Sequence, residues 1–405
     1  SRLARLLSSD TQSDDSKISD LSTVFSHTTV DDIRTKFAGS QHDIEAILPC
    51  TALQEAMLSA DAAYSNCTKL KVNGDLDRLK QCLEALVRRH AILRTQFYET
   101  HDAAHPFAQV IFSDAAVPWV TDDSSLETDH DTGKRVNIAA SSRESPLSLQ
   151  IETVENDTFL VLNMHHAIYD GTSMAVLFEE VESLYQGQEL PPAPEFAPFL
   201  REALGHSGPA ALEFWSSYVR NFDAKPFALR SESVDDQVAS GRIALPLQFV
   251  PSDIDEFVRR HNISATSLFQ AAWAKVLTTT QTASDVCFGA VVSGRSIPVA
   301  GVDRLVAPCF NTLPVRVSLD NIYDNIGLVR HLHKQGPPSQ DMDASIWETS
   351  EDEGLMDLPL VIEVSQGRLQ PDLLVHFDGR YLSHDDASAL AQAFVSSLGD
   401  CLRFP

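Results

Sequence analysis

Residues 164–171, MHHAIYDG, decide how this 405-residue chain is read. Two adjacent histidines are followed, after three spacers, by an aspartate and a glycine. The apolar run FLVLN (159–163) precedes them, as expected of a central strand covered on both faces. The run TSMAVLFEEVESLY (172–185) follows and sets Met174, Leu177, Phe178, Val181 and Leu184 on one helical face. The histidines therefore sit where a strand turns into a helix.

Three readings of the pair stay open on spacing alone. In the first it is structural: Asp170 caps the following helix, Gly171 eases the turn, and the histidines are satisfied polar groups at a strand end. In the second it binds metal. Neighbouring side chains on an extended segment point to opposite faces, however, and no HExxH or paired-cysteine pattern supplies further ligands. In the third it serves acyl transfer to an amine. An imidazole with an ordinary pKa near 6.5 can accept the amine's proton. Backbone N–H groups at a helix N-terminus can steady the oxyanion.

Composition narrows the classes. Hydrophobic residues make up 43% and charged residues 22%, as in a soluble globular protein. The formal charge is −26, from 57 acidic and 31 basic residues, and no basic run interrupts it, so nucleic acid is excluded as a partner. The cysteines (Cys50, Cys67, Cys82, Cys287, Cys309 and Cys401) form no CxxC pair, which speaks against a disulfide framework or a zinc cluster and for a reducing, cytoplasmic setting. No apolar run has membrane-spanning length, so no membrane association is expected.

Working outward, residues 1–42 are Ser/Asp-rich and read as a linker or an arm lying on a neighbour. Thr51 and Gln54 have capping-box spacing, so a helix is expected from Thr51. Asp75 is a plausible N-cap for a helix over Leu76, Leu79, Leu83, Leu86 and Val87. Arg88, Arg89 and His90 stand at its end, where cations meet the negative pole of the dipole. Leu93, Thr95 and Phe97 alternate as a strand, which turns Arg94 to the opposite face. QELPPAPEFAPF (188–199) is proline-rich and marks a connection between halves. Strands and helices then alternate again to the end. Pro314 argues that its strand lies at an edge or carries a bulge. The acidic run SEDE (350–353) reads as solvated surface. The whole is an α/β (α+β) chain in two halves, 43–205 and 206–405.

Several of these stretches, taken in order, carry a family likeness. HHxxxDG is the signature of nonribosomal peptide synthetase condensation domains, within the wider class of HxxxD acyltransferases. LPCTALQEAML (48–58) resembles the family's opening motif. RRHAILRTQF (88–97) resembles its RHxxLRTxF motif, and VAPCFNTLPVRV (306–317) a later FVNTLPLR-type motif. The likeness runs from about Asp43 to the end and is greatest to domains of fungal hydroxamate-siderophore synthetases of the ferrichrome or fusarinine type. Ala56 and the Ala307-Pro308-Cys309 run depart from the usual glycine-containing patterns. After Gln335 the chain reaches Trp347 sooner than the family pattern does, as if a segment were missing. The lack of a GGxS carrier motif and of an initial Met fits an excised domain with its preceding linker.

The resemblance implies two chloramphenicol-acetyltransferase-like lobes forming a V-shaped pseudo-dimer with a central tunnel. It implies a peptide-bond-forming acyltransferase joining a carrier-bound acyl thioester to a carrier-bound amine. A terminal domain that makes an ester or closes a ring, and a scaffold that only docks carriers, are the alternatives. It makes His166 the catalytic group and pairs Asp170 with Arg94. His165 and Gly171 shape the loop, with Gly171 N–H a candidate oxyanion donor. Asn311 and Thr312 belong to a latch bridging the lobes. No cofactor or metal is expected on the domain itself; substrates arrive as 4'-phosphopantetheine thioesters. Expected partners are donor and acceptor carrier domains and adjacent synthetase domains, around a monomeric unit.

Overall fold

The computed structural model describes residues 21–38, 43–60, 64–114, 116–120, 145–155, 157–205, 209–225, 241–247, 249, 251–320, 322–335, 349–354, 358–365 and 371–404. Ser26 caps helix α1 (His27–Phe37) by accepting from Thr29 N. Phe25, Ile33 and Phe37 pack against Ala108, Val110 and Phe112. Part of the stretch expected as a linker or arm thus lies on the first half of the chain itself.

The first half continues through β1 (Ile44–Pro49), α2 (Ala52–Leu58), β2 (Ser65–Val72), α3 (Leu76–Arg89), β3 (Thr95–Glu99), β4 (Phe107–Phe112), β5 (Leu147–Val154), β6 (Asp157–His165) and α4 (Gly171–Tyr185). The expected capping box closes at α2, with Thr51 Oγ1 accepting from Gln54 N and Gln54 Oε1 accepting from Thr51 N. Asp75 caps α3 through Arg78 N. Leu93 and Arg94 lie in a 3-10 turn rather than in the strand expected from alternation, and the strand begins at Thr95. Strands β1, β4 and β3 form one antiparallel sheet in that order. A second sheet has the order β10-β2-β6-β5, which sets β6 in its interior as its apolar run predicts.

Helix α5 (Phe196–Gly205) closes the first half, with Phe196, Phe199 and Leu200 in its core, and the second half holds α6 (Pro209–Tyr218), β7 (Gly241–Pro246), α7 (Pro251–His261), α8 (Ala265–Gln281), β8 (Asp285–Ser293), β9 (Phe310–Ser318), α9 (Asn325–Gln335), β10 (Thr349–Gly354), β11 (Leu360–Ser365), β12 (Asp372–Phe377) and α10 (His384–Arg403). Strands β11, β12 and β7 form one antiparallel sheet, and β8 pairs with β9 alone, so Pro314 sits on an edge strand. The segment after Gln335, where the sequence resemblance suggests missing residues, lies outside the described residues. No helix among the described residues is long and apolar enough to cross a membrane.

Two main cores result. Leu70, Leu86, Leu149, Leu160, Ile168 and Leu177 belong to the first, and Leu268, Val286, Val317, Leu332, Leu373 and Phe394 to the second. The halves are joined by two crossings. Between β8 and β9, Val302, Leu305, Val306, Ala307 and Cys309 leave the second half and enter the first core. Gly294 opens this crossing: a Cβ there would lie 2.7 Å from the Cys309 carbonyl oxygen, so only glycine lets the two backbones close. The second crossing is β10, which pairs antiparallel with β2 and sets Glu351 opposite Lys69. The SEDE run thus lies on a bridging edge strand whose place is fixed by backbone pairing rather than by apolarity.

Candidate active site

The site is built at the end of β6. The backbone of His165 and His166 continues the strand's bonding, with His165 N donating to Pro146 O and His166 N donating to Tyr64 O at 2.8 Å. The chain then turns, and Ile168 N reaches back to His165 O. His165 is buried, and its Nδ1 accepts from Ala167 N at 3.1 Å. This bond spans the turn after β6.

His166 is half-buried and points elsewhere. Its ring stacks on Tyr169, centroid to centroid 4.4 Å with 15° between planes. The Tyr169 hydroxyl lies 3.4 Å from His166 Nε2. Phe310, the first residue of β9, meets the imidazole edge-on at 6.1 Å. The imidazole therefore stands where the first half meets the crossing from the second.

Asp170 is the N-cap of α4 and is buried. Its Oδ1 accepts from Ser173 N at 2.7 Å, from Ser173 Oγ at 2.8 Å and from Arg295 Nη2 at 2.7 Å. Its Oδ2 accepts from Cys309 N at 3.0 Å and from Arg295 Nη2 at 2.9 Å. Arg295 also donates from Nη1 to Val302 O and Leu305 O, at 2.6 and 2.8 Å. Ser173 Oγ reaches Ala307 O and accepts from Ala307 N. One carboxylate thus holds the start of α4 and the whole first crossing.

This corrects the expected Arg94–Asp170 pair. Arg94 is buried, but its Nη1 donates to Glu45 Oε2 at 2.8 Å and to the Phe112 carbonyl, so it fastens the β1-β4-β3 sheet. The 3-10 turn at 91–94 aims its guanidinium at β1 and the end of β4. The partner of Asp170 is Arg295, in a glycine turn that carries no local sign of its target.

Gln54 also escaped the sequence reading as a site residue, although the capping box names it. Its Nε2 donates to Ala167 O at 2.9 Å and to Gln109 Oε1 at 3.2 Å. Gln109 Nε2 in turn donates to Pro49 O at 2.7 Å. The opening motif is thus tied to the histidine turn. Gly171 begins α4 with nothing within 4 Å of its Cβ position, leaving open space beside the helix N-terminus. Asn311 and Thr312 are exposed at the start of β9, opposite Val292 and Val291. The bridging is done by the residues just before them.

Around the site, titratable groups are held by packing. Burial pushes the Cys309 thiol up to about 12, so its backbone N–H and not its sulfur serves the site. Burial alone would raise the Glu180 carboxyl in α4. Hydrogen bonds from His90 and Arg89 more than offset this and hold it below its usual range. His90 Nε2 lies 2.7 Å from Glu180 Oε2, and Arg89 Nε donates to the same oxygen at 3.0 Å. Arg89 and His90 at the end of α3 thus pin α4, whose N-terminus adjoins the site. Among the described residues no three His, Cys, Asp or Glu side chains gather as metal ligands would.

Comparisons with known proteins identify the family and the fold. The family model described as "Condensation domain" matches residues 49–368. Nonribosomal peptide synthetase 2 of Gibberella zeae is 34% identical over 416 residues, covering 92% of this chain and 8% of that protein. Nonribosomal peptide synthetase sidC of Arthroderma benhamiae is 31% identical, covering 94% of this chain and 8% of that protein. The chain therefore spans a small part of these relatives' length. Among solved structures, the condensation domain from the Monacolin K polyketide synthase MokA matches with a TM-score of 0.69 at 18% identity. That match covers 89% of this chain and 98% of the other, and it shows a shared fold.

Proposed function

The chain belongs to the condensation-domain family, and from that premise we propose that it joins a carrier-bound acyl thioester to a carrier-bound amine, with His166 as the proton acceptor. The observation that carries this reading is the imidazole itself. It is half-buried between Tyr169 and Phe310, beside the open N-terminus of α4.

The acceptor amine nitrogen attacks the thioester carbonyl carbon, and the carbonyl electron pair moves to oxygen. His166 Nε2 takes a proton from the nitrogen. The first N–H groups of α4 have no carbonyl within their own helix, and Gly171 N–H is offered to the oxyanion. The carbonyl re-forms, the carbon–sulfur bond breaks, and the leaving thiolate receives the proton from the imidazolium. Amide and free phosphopantetheine thiol result. A positioned base of this kind contributes about 10² to 10⁴ in rate. In this reading the two pantetheine arms approach His166 from opposite sides of the junction between the halves. The partners are donor and acceptor carrier domains. The resemblance to fungal hydroxamate-siderophore synthetases supports siderophore peptide assembly as the setting.

The test is His166→Ala in the full chain, supplied with donor and acceptor carriers bearing aminoacyl-pantetheine thioesters. Loss of most amide product with an unchanged unfolding midpoint is expected. Near-normal turnover by the variant would defeat the reading and favour a carrier-docking scaffold.

A further inference from the structure

We propose that Tyr169 is a positioning residue for His166: its ring fixes the plane of the imidazole, and its hydroxyl keeps the Nε2 lone pair ready to receive the proton. This rests on the reading of His166 as the proton acceptor.

The backbone of Tyr169 is set from both sides. Two residues earlier, Ala167 O is held by Gln54. One residue later, Asp170 is held by Arg295 and Cys309. Tyr169 is only 5% exposed and belongs to the first core, so its ring is a rigid wall. Against that wall the imidazole lies nearly parallel, at 15° and 4.4 Å. Rotation about the last torsion of a histidine is otherwise broad. The stack on Tyr169 and the edge of Phe310 confine it.

The hydroxyl adds direction. A phenol hydroxyl can donate or accept, and in this role it donates to an unprotonated Nε2. At 3.4 Å from Nε2 it makes a long, weak bond, which an incoming amine can displace. An imidazole that accepts at Nε2 carries its proton on Nδ1. Tyr169 therefore favours the tautomer whose free lone pair faces the reacting nitrogen. The three spacers of the HHxxxDG pattern leave this position unspecified. Here the residue three places after the histidine returns its ring to it.

The experiment uses the full chain labelled with 15N-histidine, as wild type, Tyr169→Phe and Tyr169→Leu. In the wild type, the His166 resonances should report an unprotonated Nε2, and Tyr169→Phe should shift them towards a mixture of tautomers. With carriers bearing aminoacyl-pantetheine thioesters, kcat should fall by up to about tenfold in Tyr169→Phe, the share of one hydrogen bond. It should fall by about 10² in Tyr169→Leu, which loses the wall as well. The acceptor KM should stay unchanged in both. A protonated Nε2 in the wild type, or wild-type kcat in Tyr169→Leu, overturns the proposal. Should Tyr169→Leu not fold, the spectra of wild type and Tyr169→Phe decide alone. If His166→Ala also turns over normally, the underlying function has failed. If His166→Ala is inactive while Tyr169→Leu is normal, only the role of Tyr169 has failed.

Discussion

Arg295 Nη2 lies 2.7 and 2.9 Å from the two carboxylate oxygens of Asp170, a residue 125 positions earlier in the chain. Both side chains are almost wholly buried, and the remaining acceptor sites of Asp170 are taken by Ser173 and Cys309 N. The pair fastens the helix that follows His166 to the crossing from the other half.

Removing one member of such a pair leaves a buried charge without its counterpart. Asp170→Asn and Arg295→Met should each lower stability by about 3 to 5 kcal/mol. The double variant should lose clearly less than the sum, because neither charge is then stranded. Arg94→Met should add independently to Asp170→Asn. Urea unfolding of the variants tests this, and coupling of Asp170 to Arg94 rather than Arg295 would contradict the observed geometry.

The difference between these two arginines shows what the sequence could carry. Helix ends were legible because capping is local: Thr51 with Gln54 and Asp75 with Arg78 N each act within three residues. The interior place of β6 was legible because burial on both faces demands an apolar run. Arg94 and Arg295 are both buried, and nothing within a few residues of either names its partner. For Arg295 that choice is made by a crossing that folds back across more than a hundred residues, and for Arg94 by the pairing of β1 and β4 in its own sheet. The pairing of the acidic β10 with β2 was illegible for a related reason: a strand at a sheet edge is recruited by backbone hydrogen bonds, which its side chains do not announce.

Gln54 should matter more than a helix cap alone. Gln54→Ala leaves the buried Gln109 Oε1 and the Ala167 carbonyl without the donor they share, a loss of about 1 to 3 kcal/mol. The histidine turn loses its tie to α2, so condensation turnover should fall as well. Thermal unfolding and a carrier-based turnover assay measure the two effects. Unchanged turnover would show that the turn holds its shape without Gln54.

Glu180 links pH to stability through the α3–α4 contact. Its folded pKa is depressed, because bonds from His90 and Arg89 outweigh the opposing effect of burial. A depressed carboxylate contributes stability that is present above its unfolded pKa and lost as pH falls through the folded one. Glu180→Gln should therefore destabilise strongly at pH 7 and much less at pH 3. Denaturant titrations at the two pH values check this, and an equal loss at both would assign the effect to packing instead.

Glu55, in the first turn of α2, works in the opposite sense. Burial raises its carboxyl from the usual 4.5 to about 7. The folded chain then binds a proton that the unfolded chain has released, so the slope of unfolding free energy with pH is negative between these values. The contribution of Glu55 is most favourable below about 4.5, declines as pH rises, and levels off above about 7. Glu55→Gln removes the group that must lose its charge or its solvent. The variant should unfold at higher denaturant concentration than wild type at pH 8, and at nearly the same concentration at pH 4. Cys50 offers a second readout, since its buried thiol is raised by desolvation and further by the Glu55 charge. In Glu55→Gln its thiolate should form at lower pH, followed by absorbance at the thiolate band. A gain in stability that is identical at pH 4 and pH 8 would mean that glutamine packs better at this position and that the charge of Glu55 is not what costs stability.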